Sequence, residues 1–244
     1  MNSVWDRLAK IHYSRLADRR DITFHNIFLP VIIDIIQKQA GFNNFSVLDA
    51  GCGTGYLTGL ISNYANDVLG VDNSQSSIDI AKRHNTNKEN ITFICKDINR
   101  FSDIHKQVFD FAISHLVLHV IEDIDGTLRN ISTCLKKGCG FLFSIPHPCF
   151  WALSSDVGTW NFKKTNNYVY NHASVQQNSI NIDGNEFITP HFHRPIELYF
   201  SALNKSGFAI EGIVEPIPDK DLLEENHKKM WKFPRFMFVV CTKK

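Results

Sequence analysis

The sequence carries no excess of charge of either sign: Lys and Arg number 26 against 25 Asp and Glu, a formal net charge of +1. Without a field of one sign, neither nucleic acid nor an anionic membrane is gathered electrostatically. Long apolar runs are also missing. The longest, Phe28 to Ile36, is broken by Pro30 and Asp34 and falls far short of the roughly 20 residues that span a bilayer. The opening MNSVWDRLAK has neither the basic start nor the apolar core of a signal peptide, so a soluble, cytoplasmic protein without membrane association is expected. The six cysteines, Cys52, Cys95, Cys134, Cys139, Cys149 and Cys241, form no CxxC pair and no zinc-finger spacing with histidine. That predicts small buried thiols in a reducing compartment rather than a disulfide framework, and no metal site. There is no internal repeat and no low-complexity segment.

What is present reads as one globular unit. Hydrophobic residues at 43% and charged residues at 21% are near globular averages and exclude intrinsic disorder. A chain of 244 residues fits one large domain with an elaboration, taken here as a single domain over 1–244. Trp5, Leu8, Ala9, His12, Tyr13 and Leu16 recur at helical spacing. Ile27, Phe28, Val31, Ile32, Ile35 and Ile36 repeat the pattern around an awkward Pro30, with Gly41 as a stop. Residues 1–41 are thus expected to be cap helices.

From residue 47 the rhythm changes to short apolar runs: VLDA (47–50), VLGVD (68–72), ITFICKD (91–97), FDFAISHLVL (109–118) and GFLFSIP (140–146). Helical patterns lie between them, after Gly55, over 76–83 and over 123–135. Alternating β and α at this spacing predicts a Rossmann-like, doubly wound, mostly parallel sheet with helices on both faces, because parallel strands need crossovers that cover them. After the helix opened by Pro195, FAIEGIV (208–214) and FMFVVC (236–241) bring the sheet to seven strands.

Residues 146–194 interrupt this pattern. They hold Phe150, Trp151, Trp160, Phe162, Tyr168, Tyr170, Phe187 and Phe192, and His147, His172, His191 and His193, with no helical period. So long a connection in a compact domain predicts an inserted substrate lid or a small added subdomain after strand five.

The chemistry is concentrated in Val47-Leu48-Asp49-Ala50-Gly51-Cys52-Gly53-Thr54-Gly55, a strand entering a glycine-dense turn and then a helix. Glycines there let a ligand lie against the main chain. The next strand ends in Asp72, about 20 residues on, where an acid can bind both hydroxyls of a ribose. A third strand is expected to end in Asp97, where an acid can meet an adenine amino group. A dinucleotide fingerprint would read GxGxxG, but position 56 is Tyr, and Asp49 would repel a pyrophosphate while suiting a cationic headgroup.

At these residues the sequence resembles the class I S-adenosylmethionine-dependent methyltransferases, whose first motif reads closely as DAGCGTG. GVDNS (70–74) is similar to their ribose motif, KDI (96–98) to the adenine-contacting one, and SHLVLHVIED (114–123) to the segment after strand four. LKKGCGFLFSIPHP (135–148) is similar to the fifth strand with its preceding turn. The resemblance implies S-adenosylmethionine as cofactor and S-adenosylhomocysteine as product. It implies cofactor contacts from Tyr13, Asp49, Gly51, Cys52, Gly53, Gly55, Asp72, Asn73, Asp97, Ile98, Ser114 and His115. More narrowly the chain looks like a bacterial small-molecule branch, through Trp5, Asp6 and Tyr13; His147 and Pro148; His193, Arg194 and Pro195; and Glu215, Pro216 and Pro218.

Methyl transfer from a sulfonium is a single in-line displacement, so proximity and orientation can supply about 7–11 kcal/mol and a general base is optional. If one acts, His147, His191 or His193 is the candidate, histidine having a suitable pKa. Substrate contacts are expected from Trp151, Trp160 and Arg194. The reading is a methyltransferase acting on a nitrogen or oxygen of a small molecule, as a monomer or homodimer without nucleic acid. A peptide or RNA methyltransferase, and a non-catalytic cofactor-binding sensor or partner, are the alternatives.

Overall fold

The computed structural model describes residues 4–39, 45–101, 106, 108–150, 160–162, 170, 172–182, 184–218 and 231–244. The chain begins with α1 (Val4–Ala17), a π-helical turn (Phe24–Phe28) and α2 (Leu29–Gln39). Pro30 explains the π turn. Its ring would crowd the preceding carbonyls of a regular helix, and the wider turn, in which the Leu29 amide reaches back to the Phe24 carbonyl, passes the chain into α2 just before the proline.

There follow β1 (Ser46–Ala50), α3 (Tyr56–Ile61), β2 (Asp67–Asp72), α4 (Gln75–His84), β3 (Ile91–Cys95), β4 (Phe109–His115), α5 (Ile124–Cys134) and β5 (Leu135–Pro146). After the insertion come α6 (Ile196–Lys205), β9 (Phe208–Val214) and β10 (Phe236–Lys243). The sheet order is β3-β2-β1-β4-β5-β10-β9. All pairs from β3 to β5 are parallel, and β10 runs antiparallel to both of its neighbours. This is the expected doubly wound, mostly parallel, seven-stranded sheet.

Strand interiors are apolar because both faces are covered. On one face Leu48, Ala112 and Phe143 pack with Leu128 and Ile131 of α5 and Leu203 of α6. On the other Val47, Phe111 and Leu142 pack with Ile32 and Ile36 of α2 and Leu57 and Ile61 of α3. Burying each such side chain contributes about 1.5–3 kcal/mol.

One expectation is revised, and the insertion gains a definite form. The run 109–118 does not continue as strand: β4 stops at His115 because Leu116 turns to φ 54°, and the chain closes into a 3-10 turn over Leu118–Val120. The insertion holds a second sheet, antiparallel, of β6 (Trp160–Phe162), β7 (Ser174–Ile182) and β8 (Asn185–His193). Its Ile182 and Phe187 pack on Leu8, with Val4, Trp5 and Ile11 of α1 beside them. The hairpin and α1 therefore brace each other beyond the C-terminal ends of the main strands. No helix among the described residues is long and apolar enough to cross a membrane.

Candidate functional site at the strand ends

The turn after β1 is built by three glycines with different tasks. All have positive φ, but a Cβ on Gly51 would strike Val117, and one on Gly55 would lie 2.7 Å from both Ala81 and Phe93. These two are glycine for packing. Gly53, at φ 52°, has nothing within 4 Å of where a Cβ would stand. It is the point where bare main chain faces open space. Cys52 between them is buried, and its thiol is pushed well up by burial and by Asp49 and Asp72, which leaves it a packing group.

Asp72 closes the far side of the turn. One carboxylate oxygen accepts the Gly53 amide at 2.9 Å and the other the Ser74 amide at 2.8 Å, fixing the carboxylate at the end of β2. Burial raises its pKa against those bonds. Asn73 is exposed beside it. Asp97, two residues past β3, accepts the Asn99 amide at 2.9 Å and caps a short 3-10 turn over buried Ile98. Asp49 lies behind the turn, 1% exposed, with its carboxylate accepting the Thr58 hydroxyl at 2.6 Å. Burial drives its pKa from 3.8 to about 7.

β4 supplies the opposite wall. Ser114 donates to the Ala50 carbonyl at 2.9 Å, locking β4 to the start of the glycine turn. The Ser144 hydroxyl accepts the Leu116 amide at 3.1 Å and meets Nδ1 of His115 at 2.7 Å. The His115 ring is surrounded by Phe24, Phe28 and Phe238, and burial lowers its pKa to about 3. It is a neutral imidazole at physiological pH.

The structure places three anticipated contacts elsewhere. Arg194 is buried, and its guanidinium donates to the carbonyls of Leu118, Phe192, Ile121 and Glu122, at 3.3, 3.3, 2.6 and 2.7 Å. It fastens β8 to the turn after β4 and has no fork left for a substrate. His147 accepts the Cys149 amide on Nδ1 at 3.1 Å, so Nε2 carries the hydrogen and donates to Glu215 at 2.6 Å. With both nitrogens bonded it cannot take a proton from an acceptor. Nε2 of His193 meets the Tyr170 carbonyl at 3.0 Å, again a structural bond.

His191 is buried on β8 with its ring 5.3 Å from that of His119. Burial lowers its pKa to about 3, and that of His119 well below 6.5. Tyr13 stacks on His84 at 4.0 Å and meets Tyr56 edge-on at 6.1 Å. It lines a groove of about 590 Å³ between α1 and α4 with Asp6, Lys10 and Arg83, and Tyr56 beside it opens the helix that follows the glycine turn. Trp151 lies outside the described residues; Trp160 opens β6, pairing with Ile180.

His12, counted in the sequence only as part of the helix periodicity of α1, has its pKa lowered by burial, with Asp21 acting against this and Arg15 with it. Among the described residues no cluster of His, Cys, Asp or Glu has the geometry of a metal site.

Comparison with known proteins bears on the same stretch. Residues 42–190 match the family described as methyltransferase domain. Over 116 residues the chain is 33% identical to the ubiquinone biosynthesis O-methyltransferase of Coxiella burnetii, spanning 47% of this chain and 49% of that one. Over 142 residues it is 28% identical to the malonyl-[acyl-carrier protein] O-methyltransferase of Acetivibrio thermocellus, 57% of this chain and 49% of that one. The chain thus spans about half the length of the curated relatives it matches. Among solved structures it is similar to a Listeria monocytogenes protein assigned as an S-adenosylmethionine-dependent methyltransferase, with 26% identity, TM-score 0.66, and 86% and 97% of the two chains covered. A Clostridium acetobutylicum methyltransferase shares the fold over 99% of both chains, with TM-score 0.70 and 18% identity.

Proposed function

The chain belongs to the methyltransferase-domain family, class I and S-adenosylmethionine-dependent, and from that premise we propose that it methylates an oxygen of a small molecule. The observation that carries the reading is the pairing of Gly53 with Asp72. The only glycine of the turn whose missing side chain opens onto free space is hydrogen-bonded to a carboxylate at the end of the neighbouring strand. That combination fits an adenosyl ligand, since bare main chain admits it closely and the carboxylate keeps acceptor capacity for its ribose hydroxyls.

In this reading Asp72 holds the ribose, with Asn73 beside it, and Asp97 and Ile98 flank the adenine. Gly51, Cys52, Gly53 and Gly55 form the cradle, and Ser114 and His115 the opposite wall. Asp49, behind the cradle, holds a proton up to about pH 7 in the ligand-free fold, and a bound ammonium end would favour its ionised form. The cofactor, when bound, supplies a methyl group on a sulfonium for in-line displacement.

The chain's own part is to bind, orient and exclude water. The imidazoles on this side, His115, His119 and His191, are kept neutral chiefly by burial, with neighbouring histidines adding to it: His12 for His115, His191 and His115 for His119, and His193 for His191. Neutral imidazoles present hydrogen-bonding nitrogens to a hydroxyl acceptor without repelling the positively charged donor. The two curated relatives quoted above are both O-methyltransferases, which supports oxygen over nitrogen.

The test is the melting temperature with S-adenosylmethionine, S-adenosylhomocysteine and NAD in turn. A ligand at 100 times its dissociation constant adds about 2.7 kcal/mol. Both adenosyl ligands should raise it, NAD should not, and Asp72→Ala should abolish the rise. Methyl transfer to hydroxyl but not amine acceptors then separates oxygen from nitrogen. A preference for amines would overturn the proposal.

A further inference from the structure

Arg235 is a buried charge whose chemistry the site described above leaves unused. It stands immediately before β10, and because β10 runs antiparallel to β5, with Phe236 opposite Pro146, Arg235 lies at the same sheet edge where β4 and β5 end. It is 6% exposed. Among the described residues no hydrogen bond or ion pair reaches its guanidinium, and its buried Nε has no partner. Among the described residues two rings flank it, Trp231 at 5.6 Å and Phe236 at 5.8 Å from the guanidinium carbon.

A buried charge is ordinarily paired, because leaving water without compensation costs several kcal/mol per ion. Aromatic faces offset part of that cost and supply none of the hydrogen bonds. Burial lowers the pKa of Arg235 to about 10, with no carboxylate acting against it, yet the group stays cationic at neutral pH. Arg194 has the same side chain and similar burial, and it is saturated by four carbonyls. The contrast within one molecule shows that this fold does satisfy a buried guanidinium where it serves structure.

Arg235 connects to the methyl-acceptor side through stacked rings. Phe236 packs edge-on against Phe28 at 4.6 Å, and Phe28 against His115 at 4.9 Å, so two rings, Phe236 and Phe28, separate the guanidinium from the wall that faces the glycine turn. Its own carbonyl accepts the His147 amide at 2.8 Å, which fixes the main chain at the end of β5.

We propose that Arg235 anchors a carboxylate of the methyl acceptor, which makes the acceptor an anionic small molecule methylated at a different atom. The inference rests on the methyltransferase reading of the site. A planar fork matches a carboxylate in two parallel hydrogen bonds. One cation walled by rings balances one charge, so a phosphate dianion would stay half compensated. The anchored carboxylate is not the nucleophile, because pairing with a guanidinium withdraws the electron density that attack on the methyl group needs. A hydroxyl elsewhere on the acceptor is left to face the imidazoles.

The test uses melting temperature of the full chain, with and without saturating S-adenosylhomocysteine, in the wild type, Arg235→Lys and Arg235→Met. The probes are benzoate, its neutral isostere benzamide, and inorganic phosphate. Benzoate should stabilise the wild type and benzamide should not. Arg235→Met should lose the response, corresponding to about a 10- to 100-fold weaker affinity, and Arg235→Lys should keep part of it. Without ligand, Arg235→Met should melt higher than the wild type by about 2–4 °C or more, because an uncompensated buried charge has been removed.

Equal responses to benzoate and benzamide, a benzoate response that survives in Arg235→Met, or stabilisation by phosphate alone would each overturn the proposal. So would a ligand-free Arg235→Met that melts lower, since the guanidinium would then be structural. If S-adenosylhomocysteine fails to bind the wild type, the function reading falls by itself, and the anion arm without it still reports on Arg235.

Discussion

His147 donates from Nε2 to Glu215 at 2.6 Å, tying the residue after β5 to the residue after β9 while its other ring nitrogen holds the Cys149 amide. The histidine is buried and the carboxylate half exposed. If the link is a hydrogen bond first, Glu215→Gln keeps an acceptor and leaves stability within about 0.5 kcal/mol. Glu215→Ala strands a buried N–H and costs about 1–3 kcal/mol. Urea midpoints of the two variants decide, and equal losses would show that charge is what matters. In neither should methyl transfer lose the acid limb of its pH profile, because His147 takes no proton from the acceptor.

Gly53 and Gly55 separate ligand space from packing space. Gly53→Ala places a methyl group in open space at a φ of 52°, so the free protein loses about 1–2 kcal/mol while affinity for S-adenosylhomocysteine falls by an order of magnitude or more. Gly55→Ala forces a Cβ into Ala81 and Phe93 and should lose stability first, by about 2 kcal/mol or more. Calorimetric affinity set beside melting temperature shows the split. Equal losses of both quantities in the two variants would contradict it.

How far the sequence could be read follows from which signals are local. The strand ending in Asp49 and Ala50, the glycine turn and Asp72 were legible, since apolar runs, turn residues and spacing are properties of neighbouring residues. The stop of β4 at Leu116 was not, because a leucine at positive φ is imposed by tertiary packing. Arg194 and His147 looked available for a substrate because sequence cannot show three carbonyls from the turn after β4, or Glu215, arriving from elsewhere in the chain. Arg235 was passed over for the mirror reason. An arginine before a C-terminal strand reads as a surface charge until burial and the absence of a partner are seen together. The second sheet was hidden by weak alternation, β7 carrying Gln176 and Asn178 as buried polar residues.

The N-terminal helix is fastened beside the ribose acid. Asp6 accepts the Ser74 hydroxyl at 2.6 Å and the Ser76 amide at 3.3 Å, and Ser74 caps α4 by accepting the Ser77 amide. Asp6 also raises the pKa of Asp72. Asp6→Ala should loosen α1 from α4, seen as faster amide exchange over residues 4–17, and weaken S-adenosylhomocysteine binding several-fold. Asp6→Asn keeps an acceptor and removes the repulsion of Asp72, so it should bind at least as well as the wild type. Unchanged exchange in Asp6→Ala would show that the apolar contacts of Leu8 and Ile11 hold the helix alone.

Stability should depend on pH through two opposed sets of buried groups. Asp49, raised from 3.8 to about 7 by burial, keeps a proton in the folded chain that the unfolded chain has released. Its contribution therefore falls as pH climbs between those values. His115 and His191, lowered to about 3 by burial, lack protons that the unfolded chain binds below about 6.5, so their contributions fall as pH drops from there toward 3. His119 and His193 shift in the same direction as these two. Asp72 shifts upward with Asp49, but the histidines outnumber the two aspartates, and net stability should rise from pH 4 to pH 7. Asp49→Asn, which can still accept from Thr58, removes the opposing slope. It should melt higher than the wild type at pH 8, by at most about 4 kcal/mol, and lose that advantage by pH 4, where Asp49 is protonated and the amide adds buried donors. Denaturant midpoints across pH 4–8 test this, and a constant difference between the two proteins at every pH would show that Asp49 is ionised in the fold.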